Sequence, residues 1–267
     1  MKNILLLVHD DAGQEARFQA ALDLARALDG HVSCLDVAIV PTMVDDYVPA
    51  GGASLLLADE QERERSNRAR LDVRLQAEDV RYDWSTACGD LLGCLREAAG
   101  LADLIILNRQ LDALPYPDMR SVAAGLLRTA QKPLLAVPEQ ARGFDVTSHA
   151  IVAWDGSAPS MRALQAAVPL LRHASEITIV EIDNGTLKAR ATEAAEYLSR
   201  HGLKPVVRRL ADSGTPIAKV LIEEIRILRA GTVVMGGYGH SPLREAVFGG
   251  VTRRMLTESP VPLFLAH

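Results

Sequence analysis

Glycines at a fixed spacing mark the stretch of this sequence best suited to chemistry. Residues 232–235 are apolar and mostly β-branched, as in a buried strand, and run into a turn that contains Gly236 and Gly239. After nine further residues come Gly249 and Gly250, followed by residues of helix-compatible composition. A strand, a glycine-bounded loop and a helix start together predict a nest of anion-binding N–H groups, because first-turn N–H groups lack internal partners. A Cβ in such a loop would hold a phosphate away from the backbone.

This segment resembles the nucleotide-binding motif of the universal stress protein family, Gly-x-x-Gly-x9-Gly followed by Ser or Thr. The matching residues are Gly236, Gly239 and Gly249, while Gly250 stands where the family has its hydroxyl residue. One side-chain hydrogen bond to phosphate is therefore missing, although a backbone contact there could survive. The alternative interpretation is that these glycines serve only the turn that any α/β domain needs at this point.

Composition limits the class of protein. The 267 residues are 48% hydrophobic and 24% charged, which is typical of a soluble globular protein. No apolar run approaches the roughly 20 residues of a membrane span, and no signal peptide precedes the first strand-like run, so we expect a cytoplasmic protein. The net charge of −5 argues against nucleic acid as the main partner. Cys34, Cys88 and Cys94 lack Cys-x-x-Cys spacing, which favours reduced thiols.

The chain alternates strands and helices in two rounds. Strand-like runs are predicted at 3–8, 31–39, 80–87, 103–107 and 134–137, and again at 150–154, 177–182, 206–210, 232–235 and 261–265. Helices are predicted at 16–28, 54–78, 90–99 and 121–130, then at 157–173, 187–201, 216–228 and 251–257. The long helix alternates acids and bases over residues 62–75, which indicates a solvated face.

This order predicts the α/β class with an internal repeat. We expect two tandem doubly wound domains, residues 1–140 and 148–267, each with a five-stranded parallel sheet flanked by helices. The resemblance implies the same architecture, which is Rossmann-like and adenine nucleotide alpha hydrolase-like. In such sheets ligands bind beyond the carboxyl ends of the strands.

The family resemblance implies a nucleotide site at that edge of the second half. The acidic residue after strand one and the end of strand two would hold adenosine, and the glycine segment would hold ribose and phosphates. The implied contacts are Ala153, Asp155, Ile182, Met235, Gly236, Gly239, Gly249, Gly250 and Val251, and His240 and Arg244 lie between the glycines, where they could touch phosphates. Asp155 also fits a turn residue or helix cap.

The first half departs from this motif. Aligning the halves sets Asn108, Leu111 and Arg120 opposite the three motif glycines, and the loop between them contains prolines and no glycine. Backbone N–H groups cannot cradle a phosphate there. Asp10 is matched with Asp155, which keeps the adenosine end of a first site, but without a phosphate cradle we expect one nucleotide per chain. The first half is interpreted as a degenerate copy that supplies a partner surface.

Signatures of catalysis are missing from the sequence. There is no phosphate loop of the Gly-x4-Gly-Lys type, no His-Glu-x-x-His and no nucleophile elbow, so no catalytic residue is assigned. His9, Asp10 and Asp11 invite a metal interpretation, but three adjacent residues at a strand end seldom converge on one ion, so no metal site is expected.

Two functional hypotheses follow. The resemblance implies a stress-response regulatory module that binds ATP, ADP or AMP, with or without Mg²⁺, and at most hydrolyses ATP slowly. The alternative is a weak ATPase or nucleotidyl-transfer enzyme of related fold that uses Asp155 and a magnesium ion. The lack of an identifiable base favours the first.

The resemblance also implies how the halves assemble. The last strand of the first half begins at Leu134 and ends at Val137, and that of the second begins at Val261 and ends at Leu265. Family members commonly pair these strands across a two-fold axis, so we expect an internal pseudo-dimer. Homodimerisation of the whole chain is left open, and neither a membrane nor nucleic acid is expected as a partner.

Overall fold

The computed structural model describes residues 1–39, 52–109, 118–183, 187, 189–238 and 250–267. The strands are β1 Asn3–Val8, β2 His31–Ile39, β3 Arg81–Gly89, β4 Leu104–Asn108, β5 Leu134–Val137, β6 Ala150–Trp154, β7 Ile177–Asp183, β8 Val206–Ala211, β9 Thr232–Gly236 and β10 Leu263–Ala266. The helices are α1 Gln14–Leu28, α2 Gly52–Ala77, α3 Leu91–Ala98, α4 Met119–Thr129, α5 Ala158–Leu171, α6 Ala191–Arg200, α7 Ile217–Leu228 and α8 Val251–Glu258. Among these helices none is both long and apolar enough to cross a membrane.

Every predicted strand and helix is present, and the predicted α/β class is confirmed. The boundaries move where side chains intervene. The helix expected from 187 begins at Ala191, whose N–H donates to Glu181 Oε2 at 2.6 Å. The strand expected from 261 begins at Leu263, because the preceding Pro262 has no N–H to donate to a sheet.

The ten strands form one sheet in the order β3-β2-β1-β4-β5-β10-β9-β6-β7-β8. Strands on each side of the β5–β10 seam run parallel, whereas β5 and β10 pair antiparallel, with Leu134 opposite Leu265 and Ala136 opposite Leu263. The two halves therefore share a continuous ladder of backbone hydrogen bonds.

Two apolar cores cover the two faces of the sheet. Alternate residues of β1 point to opposite faces, with Leu6 in one core and Leu7 in the other. Helices α1, α2, α5 and α6 contribute to the first core, and α3, α4, α7 and α8 to the second. Both cores extend across the seam, where Phe264 packs into the first and Leu134 into the second.

The strand order fixes where a ligand crevice can open. In the first half the chain leaves β1 for β2 on one side and returns to β4 on the other, and β6 lies between β7 and β9 in the same way. Such a switch point leaves a crevice at the carboxyl ends of the two central strands. The candidate sites of the two halves are therefore two crevices. One lies beyond the carboxyl ends of β1 and β4, the β1/β4 edge, and the other lies beyond the carboxyl ends of β6 and β9, the β6/β9 edge.

Candidate functional site

The β6/β9 edge brings together most of the predicted nucleotide contacts that the structure describes. Ala153 pairs with Met235, so the turn after β6 and the turn after β9 leave the sheet side by side. Trp154 pairs with Glu181, which places Ile182 beyond the end of β6 at the same edge. The side chains of Ile182 and Met235 are buried, and Ala153 is half-buried.

Asp155 organises the turn between β6 and α5. Its Oδ1 accepts a hydrogen bond from Ser157 N at 2.9 Å, and Ser157 Oγ accepts one from Ser160 N at 3.3 Å to cap the helix. Gly156 has φ +70°, and a Cβ there would lie 2.1 Å from Ala189 N. Asp155 therefore acts as a turn residue. Its side chain is half-buried and lies at the β6/β9 edge.

The end of β9 lies against the first turn of α5. A Cβ on Gly236 would stand 2.6 Å from Ser160 N, so only glycine allows this approach. Gly237 N donates to Ala266 O at 2.8 Å and ties the turn to β10. The next residue, Tyr238, has φ +54°, and its N–H donates to Thr252 Oγ1 at 3.2 Å. The strand end is therefore bonded to the first turn of α8.

Helix α8 begins beside this turn without a side-chain cap. Its N-cap is Gly250, for which the structure shows no side-chain hydrogen bond, and Val251 is its first residue. The first-turn N–H groups, which have no partners within the helix, and the helix dipole make this end electropositive. At the other end, Arg109 Nη1 donates to Leu256 O at 2.9 Å and to Thr257 O, so a residue of the first half holds the last turn.

The structure accounts for the predicted residues unevenly. Ala153, Asp155, Ile182, Met235, Gly236, Gly250 and Val251 lie at or next to one edge. Gly239, His240, Arg244 and Gly249 lie outside the described residues. Sequence reasoning missed Gly156, Tyr238, Thr252 and Arg109. Gly156 follows an acid in a strand-to-helix turn and could have been noticed, but the contact of Arg109 with α8 spans 147 residues and has no local signal.

The β1/β4 edge of the first half is filled by a buried arginine. Arg17 on α1 is fully buried, and its Nε and Nη2 donate to Leu7 O and His9 O, both at 2.6 Å. Its Nη1 donates to Asp11 Oδ1 at 2.7 Å and to Asn108 Oδ1. The guanidinium therefore uses its donors on protein groups at the point where a ligand would enter.

Asn108 completes the filling of this crevice. It is fully buried, and its Nδ2 donates to Gly13 O at 3.1 Å. A Cβ on Gly13 would lie 2.2 Å from Asn108 Nδ2. An amide side chain on β4 packs on a glycine before α1, whereas in the second half a glycine on β9 packs on the start of α5. The sequence difference between Asn108 and Gly236 therefore corresponds to a difference in how each strand end packs on the following helix.

The predicted match of Asp10 with Asp155 is wrong, because the turns differ in length. Ile4 pairs with the first residue of β4 and Ala150 with the first residue of β9, which aligns the ends of β1 and β6. Residues 9–13 then separate β1 from α1, whereas residues 155–157 separate β6 from α5. The first turn is therefore two residues longer than the second.

The two extra residues change the role of each acid. Asp11, rather than Asp10, forms the turn hydrogen bond, since its Oδ1 accepts from Gly13 N at 2.8 Å. Asp10 turns to α2 instead, where its Oδ1 accepts from Arg70 Nη2 at 3.2 Å. The counterpart of Asp155 in the first half is thus already bound to Arg17.

Comparison with known proteins supports the resemblance. No model of a known protein family matches the chain. A universal stress protein from Synechocystis sp. is 24% identical over 292 residues, covering 98% of this chain and 99% of the relative. The crystal structure of a universal stress protein from Archaeoglobus fulgidus covers 99% of this chain and 95% of its own, with 17% identity and a TM-score of 0.77.

The chain resembles universal stress proteins along its whole length. The predicted resemblance is confirmed, and both repeats lie within the matched region. A functionally unknown protein from Pseudomonas aeruginosa also shares the fold, with 16% identity, a TM-score of 0.61 and coverage of 100% of this chain and 92% of its own. The fold of the universal stress proteins therefore covers both halves as one unit.

Proposed function

We propose that this universal stress protein-like chain is a stress-response module that binds one adenine nucleotide in its second half. The observation that supports this most is the contrast between two matching crevices. The β6/β9 edge has Gly236 and the uncapped start of α8 at Gly250, whereas the β1/β4 edge is filled by Arg17 and Asn108. Among the described residues, the start of α8 has no side-chain cap and can offer backbone N–H groups to a phosphate, whereas the corresponding helix of the first half, α4, is capped by Asp118.

The roles of the residues follow from their positions. Asp155 would accept hydrogen bonds from the adenosine part, next to Ala153 and Ile182. The phosphates would lie near the start of α8, where the helix dipole and the glycines of the loop favour negative charge. ATP, ADP and AMP share this chemistry and differ in how many phosphates the loop must hold.

The first half is proposed to sense the occupied site. We take residues 1–140 and 148–267 as the two repeats and the β5–β10 seam as the axis of an internal pseudo-dimer. Contacts between described residues link the first half to the residues that flank the loop of the second half: Tyr238 Oη donates to Arg120 O at 3.3 Å, and Arg109 donates to the end of α8. A nucleotide that repositions α8 would therefore alter contacts on the first half.

Calorimetric titration of the full chain with ATP, ADP and AMP, each with and without Mg²⁺, tests the binding proposal. We expect one site per chain. The Gly239→Val and Gly249→Val double variant should abolish binding, because a Cβ in the loop excludes phosphate. Gly100→Val is the matched control, since nothing lies within 4 Å of a Cβ added at that position. Unchanged ATP affinity in a folded double variant would refute the proposal.

A second pair of variants tests which half binds. Asp155→Ala should weaken ATP binding roughly 10- to 100-fold, as expected for losing a charge-assisted hydrogen bond of about 1.5–3 kcal/mol. Asp10→Ala should leave the affinity unchanged, because Asp10 faces α2. Two equivalent sites, or a dominant effect of Asp10→Ala, would show that the wrong half has been assigned. Following ADP release over hours in the same samples tests the alternative of slow hydrolysis.

A further inference from the structure

A second polar cluster lies in the first half, between the end of β1 and helix α2. His9 follows β1, and Glu60 and Glu64 are one turn apart on α2. His9 Nδ1 lies 2.8 Å from Glu64 Oε1 and 3.7 Å from Glu60 Oε1. One ligand atom from each of the three residues lies within 4.8 Å of the others. His9 and Glu64 are both 2% exposed, although the sequence predicts that this part of α2 is a solvated face. That prediction is wrong at Glu64, where α2 packs over the sheet.

Asp36 adds a buried carboxylate beside this cluster. It is 3% exposed, and its Oδ1 has no hydrogen-bond partner in the part of the chain that the structure describes. Burial, together with the nearby charge of Glu64, raises the pKa of Asp36 to about 6. A buried carboxylate oxygen without a donor is costly unless a cation or a proton compensates it.

In the second half, an arginine on the neighbouring strand pairs with the acid that occupies the position of Asp36. Asp36 pairs with the last residue of β1, and Glu181 pairs with the last residue of β6, so the two acids are equivalent. Opposite Glu181 on the next strand is Arg209, whose Nε lies 3.1 Å from Glu181 Oε1. Opposite Asp36 the next strand carries Thr86, which has no charge. The first half therefore keeps the buried acid and lacks the strand arginine that balances it.

A cavity lies beside this cluster. Glu64 and Asp36 line this cavity of about 320 Å³, together with Arg65, Thr86 and Cys88. The basic residues of α2 around it have other contacts: Arg63 pairs with Glu60 at 2.7 Å, Arg65 pairs with Glu62 at 2.8 Å, and the Arg68 guanidinium lies 5.0 Å from the centre of the Trp84 ring. Arg63 is the one basic group in an ion pair with this cluster among those the structure describes.

We propose that His9, Glu60 and Glu64 bind a divalent transition-metal ion, with Asp36 as a third acidic group beside it. Imidazole nitrogen together with carboxylate oxygen suits Mn²⁺, Fe²⁺ or Zn²⁺ better than Mg²⁺ or Ca²⁺. Ligand atoms about 2.0–2.2 Å from one ion lie roughly 3–3.5 Å apart, close to the 2.8 and 3.7 Å separations from His9 Nδ1. This site does not depend on the nucleotide proposal.

The cluster is also bonded to the backbone on both sides. His9 Nδ1 lies 3.1 Å from Val37 O, and Glu64 Oε1 accepts from Asp10 N at 3.0 Å. The ion would join the end of β1 to α2 and add positive charge beside Asp36.

Calorimetric titration of chelator-treated full-length protein with Zn²⁺ and with Mn²⁺ tests this site, with Mg²⁺ as the hard-ion comparison. We expect one Zn²⁺ or Mn²⁺ per chain, a rise in the unfolding temperature on addition of the ion, and far weaker Mg²⁺ binding. Glu60→Gln should weaken binding roughly 10- to 100-fold. This variant keeps the His9–Glu64 pair, and Glu60 is only partly buried, so the protein should remain folded. Glu62→Gln, an identical change at an exposed position of the same helix, should bind as the parent does.

Two further variants separate a metal site from a structural ion pair. Asp36→Asn should weaken Zn²⁺ binding while leaving the metal-free protein at least as stable, because it removes a buried negative charge whose Oδ1 accepts no hydrogen bond from the described residues. Cys88→Ser should bind as the parent does, since the thiol is not proposed as a ligand. Failure of the parent to bind either ion, equal binding in Glu60→Gln, or loss of binding only in Cys88→Ser would overturn the proposal.

Discussion

The β1/β4 and β6/β9 edges occupy the same place in two copies of one fold, yet one is closed and the other is glycine-lined. In the first half Arg17 reaches into the crevice, and Asn108 and Asp11 hold it there. In the second half Gly236 lets the end of β9 approach α5 directly. A switch point thus provides a crevice, but the side chains at its rim decide whether protein or ligand fills it.

The closed edge depends on the hydrogen bonds of one buried cation. Each nitrogen of the Arg17 guanidinium has an acceptor, and together they contact two carbonyls, a carboxylate and a side-chain amide. The part of the β6/β9 edge that the structure describes contains no buried arginine. Its turn is two residues shorter, and Ser157 caps the helix with an uncharged hydroxyl.

Replacing Arg17 should produce the largest difference between the halves. Arg17→Met should lower the free energy of unfolding by about 3–5 kcal/mol, because Asp11 and two carbonyls would be buried without their partner. Urea denaturation followed by circular dichroism measures this. Arg162→Met on α5 is the control, and at that exposed position we expect a change within about 0.5 kcal/mol. Equal effects of the two variants would contradict the contrast drawn between the edges.

A methyl group at Gly236 should have the next largest effect. Gly236→Ala places a Cβ 2.6 Å from Ser160 N, so α5 must shift, and such overpacking typically costs about 1–3 kcal/mol. The same shift should weaken ATP binding, because Asp155 is fixed to that end of α5. Thermal unfolding with and without ATP measures both effects. Gly100→Ala serves as the control, and a Gly236→Ala protein indistinguishable from it would argue against close packing at this edge.

The smallest predicted effect concerns acid stability at the opposite edge of the sheet. Burial raises the pKa of Asp103, but the N–H groups of Asn3 and Lys2 outweigh it, at 2.9 and 2.6 Å from Asp103 Oδ2, so the net pKa is lowered. The second half has Gly231 at the matching position. A carboxyl group with a lowered pKa stabilises the folded protein at pH values above its pKa in the unfolded chain. This stabilisation is lost as the pH falls through its pKa in the folded protein.

The Asp103→Asn variant tests this pH dependence. The parent should lose stability below about pH 4 more steeply than Asp103→Asn. Because the Asp103 side chain is 42% exposed, the difference should be small. Unfolding temperatures measured from pH 3 to pH 7 provide the comparison. Parallel curves for the two proteins would show that the contacts of Asp103 with the start of β1 do not affect its titration.

The sequence predicts the fold well because apolar runs report burial directly. The continuous runs at 3–8 and 150–154 become the central strands β1 and β6, as expected for strands covered on both faces. The repeat of strand and helix order also predicts the switch points. These features depend on local composition and on chain order, and both can be read from the sequence.

The filled crevice and the cluster of His9, Glu60 and Glu64 could not be predicted in this way. The sequence around Arg17 is that of an ordinary surface arginine on a helix. The residue is buried because the longer turn at 9–13 and Asn108 close around it. Glu64 lies in an alternating run of charges that usually indicates a solvated helix, yet it is buried against His9 from a distant strand. Only the packing of α2 on the sheet brings these residues together.

The antiparallel β5–β10 seam has a consequence for how the two halves can diverge. In a homodimer a change at one site is repeated at the other by symmetry, so a closed site and an open site cannot coexist. Joining the halves in one chain removes that constraint, and dilution cannot separate them because the second half remains at a high effective concentration. Each half can then accumulate its own substitutions. The paired strands Leu134–Val137 and Leu263–Ala266 thus permit a division of labour that identical subunits cannot achieve.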